Sequence, residues 1–93
     1  MHAPTVVDYE IASALRAVQR RDRALTALED LETLPLVRHP ARPLMSRVWE
    51  LRHRLSADDA SYVALAETLG LPFITIDRRL ARAVDGMLNV ISP

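Results

Sequence analysis

Apolar residues recur along this chain at helical spacing, and the runs are interrupted by short β-branched stretches and by prolines. Val7, Ile11, Ala14, Leu15 and Val18 form one stripe, which predicts a helix over roughly residues 5–21. Asp22 stands where it can cap a second helix carrying Leu25, Leu28 and Leu31. Residues 34–38 read as a short strand with Pro35 near its start. Pro40 and Pro43 then break the chain, and Leu44, Val48 and Leu51 mark a third helix to about His53.

Ser56 is a good N-cap, with Asp59 three positions later at the spacing of a capping box. Ala60, Val63, Ala64, Ala66 and Leu69 continue as a helical apolar face, and Gly70 supplies the stop. Pro72 opens the run Phe73-Ile74-Thr75-Ile76, which reads as a strand buried on both faces. Asp77 follows at its carboxyl end, where a short helix to about Val84 begins. Gly86 and a last strand over residues 88–91 close the pattern. His2-Ala3-Pro4 is too short to judge as a strand, although Pro4 suits a strand exit or a first helical turn.

Helices alternating with short strands predict a parallel α/β sandwich. Ninety-three residues make one small domain with little surplus stability. An apolar fraction of 49% spread along the chain argues against disorder, and with four aromatic residues the core must be mostly Leu, Val, Ala and Ile. Twelve basic and twelve acidic residues cancel, so any contact with nucleic acid must come from a local patch. The absence of cysteine excludes disulfides and thiolate metal sites. No apolar run approaches the roughly 20 residues that span a bilayer, and no signal-peptide layout is present. A cytoplasmic protein without membrane contact is the expectation.

In open α/β sheets ligands bind outside the carboxyl ends of the strands, so Asp77 has a functional address as well as a capping one. The run D-A-x-Y-V-A-L-A-E-x-L-G-x-P-x-x-T-x-D-R-R-L-A, from Asp59 to Ala81, resembles the C-terminal half of a PIN-domain ribonuclease, most closely the VapC-type toxins of toxin–antitoxin pairs. Ala3-Pro4, and Glu10 within Val7-x-x-Glu10-Ile11-x-x-Ala14-Leu15-Arg16, are similar to that family's second-strand exit and first acidic helix. Trp49-Glu50-Leu51-Arg52, before Leu55, is similar to what often precedes the family's third carboxylate.

The resemblance implies a three-layer α/β/α fold with a short parallel sheet. It also implies a Mg²⁺- or Mn²⁺-dependent endoribonuclease in which Glu10, Asp59 and Asp77 are three members of a four-carboxylate set. Such carboxylates suit hard cations, which polarise a phosphodiester and activate a water for hydrolysis. Further implications are a homodimer, an RNA substrate, and a cognate VapB-type antitoxin that covers the acidic site. The family normally begins with a strand ending in an Asp, then a helix, and residues 1–93 hold no counterpart. The expectation is therefore an N-terminally truncated domain with weakened cleavage; the rival is a catalytically inactive interaction module.

The plainer readings stay open. Asp59 and Asp77 can be caps and nothing more, and Glu10 can be a solvated helix residue. Asp58 is the neighbour most easily confused with Asp59; the resemblance favours Asp59, because the family's Asp directly precedes the Ala that begins the apolar face. Thr75, two residues before Asp77, is either a supporting hydrogen-bonding group or an ordinary strand threonine. Arg78, Arg79 and Arg82 follow Asp77 and are the better candidates for guiding an RNA backbone, whereas Arg16, Arg20, Arg21 and Arg23 read as solubilising helix-end charges. His2, His39 and His53 lack metal-ligand spacing and read as surface or loop residues. Trp49 reads as core or interface.

Overall fold

Ser56 and Gly70 bracket the longest helix of the C-terminal half, as their chemistry requires. The computed structural model describes residues 1–18, 20–75 and 77–91, without the side chains of Leu31 and Ile74. The chain divides into two compact units, Met1–His39 and Pro40–Pro93.

In the first unit, strand β1 (His2–Pro4) is followed by helices α1 (Val6–Leu15) and α2 (Arg21–Thr33) and by strand β2 (Val37–His39). The two strands pair in parallel, His2 opposite Val37 and Pro4 opposite His39. Pro4 is tolerated at the end of its strand because the ladder passes on at once to Thr5, whose amide donates to the His39 carbonyl at 3.0 Å. The pairing also brings two imidazoles together: His2 Nδ1 and His39 Nε2 lie 2.9 Å apart.

The first helix is shorter than its apolar stripe suggests. After Leu15 the bonds tighten to Ala17 N–H to Ala14 O and Val18 N–H to Leu15 O, and Val18 is exposed. Continuing the helix would bury nothing, so burial does not offset the entropy of extending it. Asp22 also differs from expectation. It sits in the first turn of α2 rather than at its cap, and its carboxylate takes two hydrogen bonds from Arg20, at 2.8 and 3.3 Å. The strand expected over residues 34–38 is displaced to Val37–His39.

The second unit opens with a 3-10 turn (Arg42–Leu44) that runs into helix α3 (Met45–Glu50). Helix α4 (Ala57–Leu69), strand β3 (Phe73–Ile74), helix α5 (Arg78–Val84) and strand β4 (Val90–Ile91) follow. The Ser56 hydroxyl accepts the Asp59 amide at 3.2 Å, satisfying one orphan donor of α4. At the other end Gly70 adopts φ +64°, a left-handed conformation that favours glycine, and its amide closes the helix on Ala66 and Glu67.

β3 and β4 are parallel, Phe73 opposite Val90, and Thr75 N–H extends the ladder to the Ile91 carbonyl at 3.1 Å. Ile76, expected in this strand, lies outside the described residues, as do the side chains of Leu31 and Ile74. The core of this unit is Leu44, Val48 and Leu51 packed with Ala60, Val63, Ala64, Leu65, Phe73 and Val84. Each large member, fully buried, contributes roughly 1.5–3 kcal/mol.

Trp49 is not in that core. It is 65% exposed on the opposite face of α3, and the Arg52 guanidinium lies 4.2 Å from its ring centroid. Leu44, Val48 and Leu51 take the inner face, which leaves no room for an indole on the same side. The fold is thus α/β and helix-rich, and among the described residues the expected short parallel sheet takes the form of two two-stranded ladders, one in each unit.

Candidate active-site cleft

Two carboxylates distant in sequence line one cleft of the second unit. Its walls are Arg54, Leu55, Ser56, Asp59, Asp77, Arg79, Leu80 and Ala83, around a volume of about 320 Å³. Asp59 reaches it from the first turn of α4, half-buried behind the Ser56 cap. Among the described residues its carboxylate makes no hydrogen bond or ion pair, so the second half of a capping box is not formed. Asp58 is exposed and does not line the cleft; its carbonyl accepts from the Ser61 hydroxyl at 2.6 Å.

Asp77 arrives from the carboxyl end of β3. Oδ1 accepts the Arg79 amide at 2.9 Å and the Leu80 amide at 3.2 Å, which caps α5. No hydrogen bond among the described residues occupies Oδ2. The half-buried Thr75 hydroxyl accepts the Asp77 amide at 3.0 Å and so fixes the backbone from which the carboxylate projects.

The remaining sequence candidates fall elsewhere or at the margin. Glu10 is exposed on α1, in the first unit. Arg79 lines the cleft, while Arg78 and Arg82 are exposed on α5 and do not. Among the described residues no group of three or more His, Asp or Glu side chains is placed to hold a metal ion. The carboxylates that line the cleft are Asp59 and Asp77, and among the described residues three of their oxygens have no hydrogen-bond partner. These are hard anionic ligands of the kind Mg²⁺ and Mn²⁺ take, and both cations keep several waters, so a set this small fits them.

Arg54 was not singled out by the sequence, yet it stands on the cleft wall. Its Nη2 donates to the Ala83 carbonyl at 2.7 Å, joining the turn after α3 to the last turn of α5. No motif marks it, because only the folded turn brings Arg54 beside a residue of α5.

The profile of the PIN domain matches residues 1–86. The chain belongs to the PIN-domain family. Among PIN-domain relatives, a VapC ribonuclease of Mycobacterium bovis and ribonuclease VapC9 of Mycobacterium tuberculosis are each 46% identical over 86 residues, covering 87% of this chain and 68% of theirs. Ribonuclease VapC3 of Mycobacterium tuberculosis is 47% identical over 89 residues, covering 89% of this chain and 64% of its own. The 93 residues thus span about two thirds of the length of these PIN-domain relatives. Among the described residues, no helix of this PIN domain is long and apolar enough to cross a membrane.

Proposed function

We propose that this chain is a VapC-like toxin of the PIN-domain family, an endoribonuclease that hydrolyses RNA phosphodiester bonds. The observation that carries the reading is the meeting of Asp59 and Asp77 in one cleft, with the Asp59 carboxylate and Asp77 Oδ2 uncommitted to the fold. A helix cap needs one oxygen; it does not need a second carboxylate brought to the same cleft. The ribonuclease names of the relatives support the same reading.

Asp59 and Asp77 would hold Mg²⁺ or Mn²⁺, and the family resemblance makes Glu10 the third carboxylate of the set. When bound, such a cation supplies Lewis-acid polarisation of the phosphate and a water nucleophile at neutral pH. The chain's own residues prepare for it. The α4 N-terminus and the Ser56 bond hold Asp59, and the Thr75 hydroxyl and the α5 amides set the orientation of Asp77. The partners that fit this reading are an RNA substrate, a VapB-type antitoxin over the acidic cleft and a second copy of the chain, in the cytoplasm.

Titration of Mn²⁺ into the purified chain, followed by calorimetry, tests the assignment. Saturable binding that is lost in Asp77→Asn, together with Mg²⁺-dependent RNA cleavage lost in Asp59→Asn, is the expected result. Absence of both would replace the enzyme with the inactive interaction module.

A further inference from the structure

The chain has no lysine, and its twelve cations are all arginines. Several are spoken for. Arg38 pairs with Asp8, Arg47 with Glu50 and Glu67, and Arg20 with Asp22. Arg52 lies over the Trp49 ring and donates to the Trp49 carbonyl. Arg54 differs from these. It shares a cleft with two carboxylates, yet among the described residues it forms no salt bridge with either. Its recorded bond goes instead to the Ala83 carbonyl, at 2.7 Å.

That bond anchors one Nη2 hydrogen and leaves the rest of a five-donor planar fork uncommitted. Ala83 also lines the cleft, so the anchor places the charged end of Arg54 on its wall. An arginine held this way loses little further freedom when it binds, and its fork matches the paired oxygens of a phosphodiester. With the carboxylate charge compensated by a cation, Arg54 and Arg79 leave the cleft electropositive towards an anion.

We propose that Arg54 is a phosphate-binding residue of the Asp59–Asp77 cleft and holds the RNA backbone next to the scissile bond. The inference rests on the nuclease reading above. It shifts the RNA-contacting role from the run after Asp77 towards a residue in the turn after α3, with Arg79 as the flanking cation.

The test measures binding of a labelled single-stranded RNA to the full chain in Ca²⁺, a hard cation that compensates the cleft carboxylates, across a salt series, with cleavage in Mg²⁺ measured in parallel. Arg54→Ala is expected to weaken binding about tenfold, the loss of one charge-assisted hydrogen-bonded contact. It should also reduce the log–log salt slope by about 0.7, the value for one neutralised phosphate on a single strand. Arg54→Lys is expected to keep the slope while losing part of the affinity, because it keeps the charge and loses the fork. A role limited to holding Ala83 would lower the melting temperature and leave the salt slope of the folded fraction unchanged, which overturns the proposal. If the wild-type chain binds and cleaves RNA and Arg54→Ala matches it in affinity and slope, the proposal fails and the nuclease reading stands. If the wild-type chain neither binds nor cleaves RNA, both fail. Binding of an acidic peptide, but not RNA, in an Arg54-dependent manner would assign the cleft to a protein ligand and overturn the RNA assignment.

Discussion

Arg47 grips Glu67 through two parallel hydrogen bonds, Nε to Oε1 at 2.9 Å and Nη2 to Oε2 at 3.0 Å, and so clamps α3 onto α4. Glu50 takes a third bond from Nη1 at 3.0 Å. The Glu67 carboxylate, and then that of Glu50, raise the Arg47 pKa well above its ordinary value, so the guanidinium stays charged throughout the accessible pH range. The fork is partly exposed, and solvent screening limits its contribution. Glu67→Gln is expected to cost about 1 kcal/mol and to lower the unfolding midpoint by several degrees, measured by circular dichroism.

Asp77 carries two duties that substitution separates. Asp77→Asn keeps an oxygen for the Arg79 and Leu80 amides, so stability changes by only a few tenths of a kcal/mol. Asp77→Ala removes the cap and is expected to cost about 1 kcal/mol. Mn²⁺ binding disappears in both variants. Calorimetric titration beside thermal melts would show the two effects dissociate; loss of metal binding only in the alanine variant would reduce Asp77 to a cap.

Asp59 is expected to behave in the opposite sense. Its carboxylate has no partner among the described residues, and the helix-terminal charge effect it forfeits is at most about 1 kcal/mol. Asp59→Asn therefore leaves the melting temperature nearly unchanged while RNA cleavage in Mg²⁺ falls by on the order of a hundredfold. A stability loss equal to that of a core substitution would argue against a site role.

A pH effect is expected in the first unit. Arg38 Nε donates to both oxygens of Asp8, at 2.9 and 2.8 Å, and this bond holds the Asp8 pKa below its ordinary value. A carboxyl group with a lowered folded-state pKa stabilises the fold above its unfolded pKa. That contribution is lost as pH falls through the folded value. An NMR titration of Asp8 is expected to show the depressed midpoint, which returns to the ordinary range in Arg38→Gln. An unchanged midpoint in that variant would mean the ion pair does not persist in solution.

The parts of this fold that were legible in the sequence are those decided within a few residues. Ser56 and Gly70 bound α4, and Asp77 starts a helix that ends at Val84, because capping chemistry acts over one turn. What the sequence hid depends on distant partners. His2-Ala3-Pro4 becomes a strand only because residues 37–39 lie alongside it. Helix α1 stops at Leu15 although the apolar stripe continues to Val18, since periodicity records what can be buried and not whether anything is there to bury it. Trp49 follows the same logic: a helical position is apolar in the sequence on either face, and the inner one was already filled. In the candidate site, Asp59 and Asp77 were nameable from motif and resemblance. Arg54 was not, because its place on the cleft wall is set by a bond to α5.

Asp77 Oδ1 holds the Arg79 and Leu80 amides while Oδ2 is left for the cleft, and the two oxygens belong to one rigid group. Whatever is bound at the cleft therefore shares a free-energy cycle with the start of α5. Ligation at Oδ2 restricts rotation of the carboxylate and so slows the opening of those two amides. Hydrogen exchange at Arg79 and Leu80 becomes a gauge of site occupancy, readable without any substrate, because stabilisation by a ligand rises with its concentration over its dissociation constant.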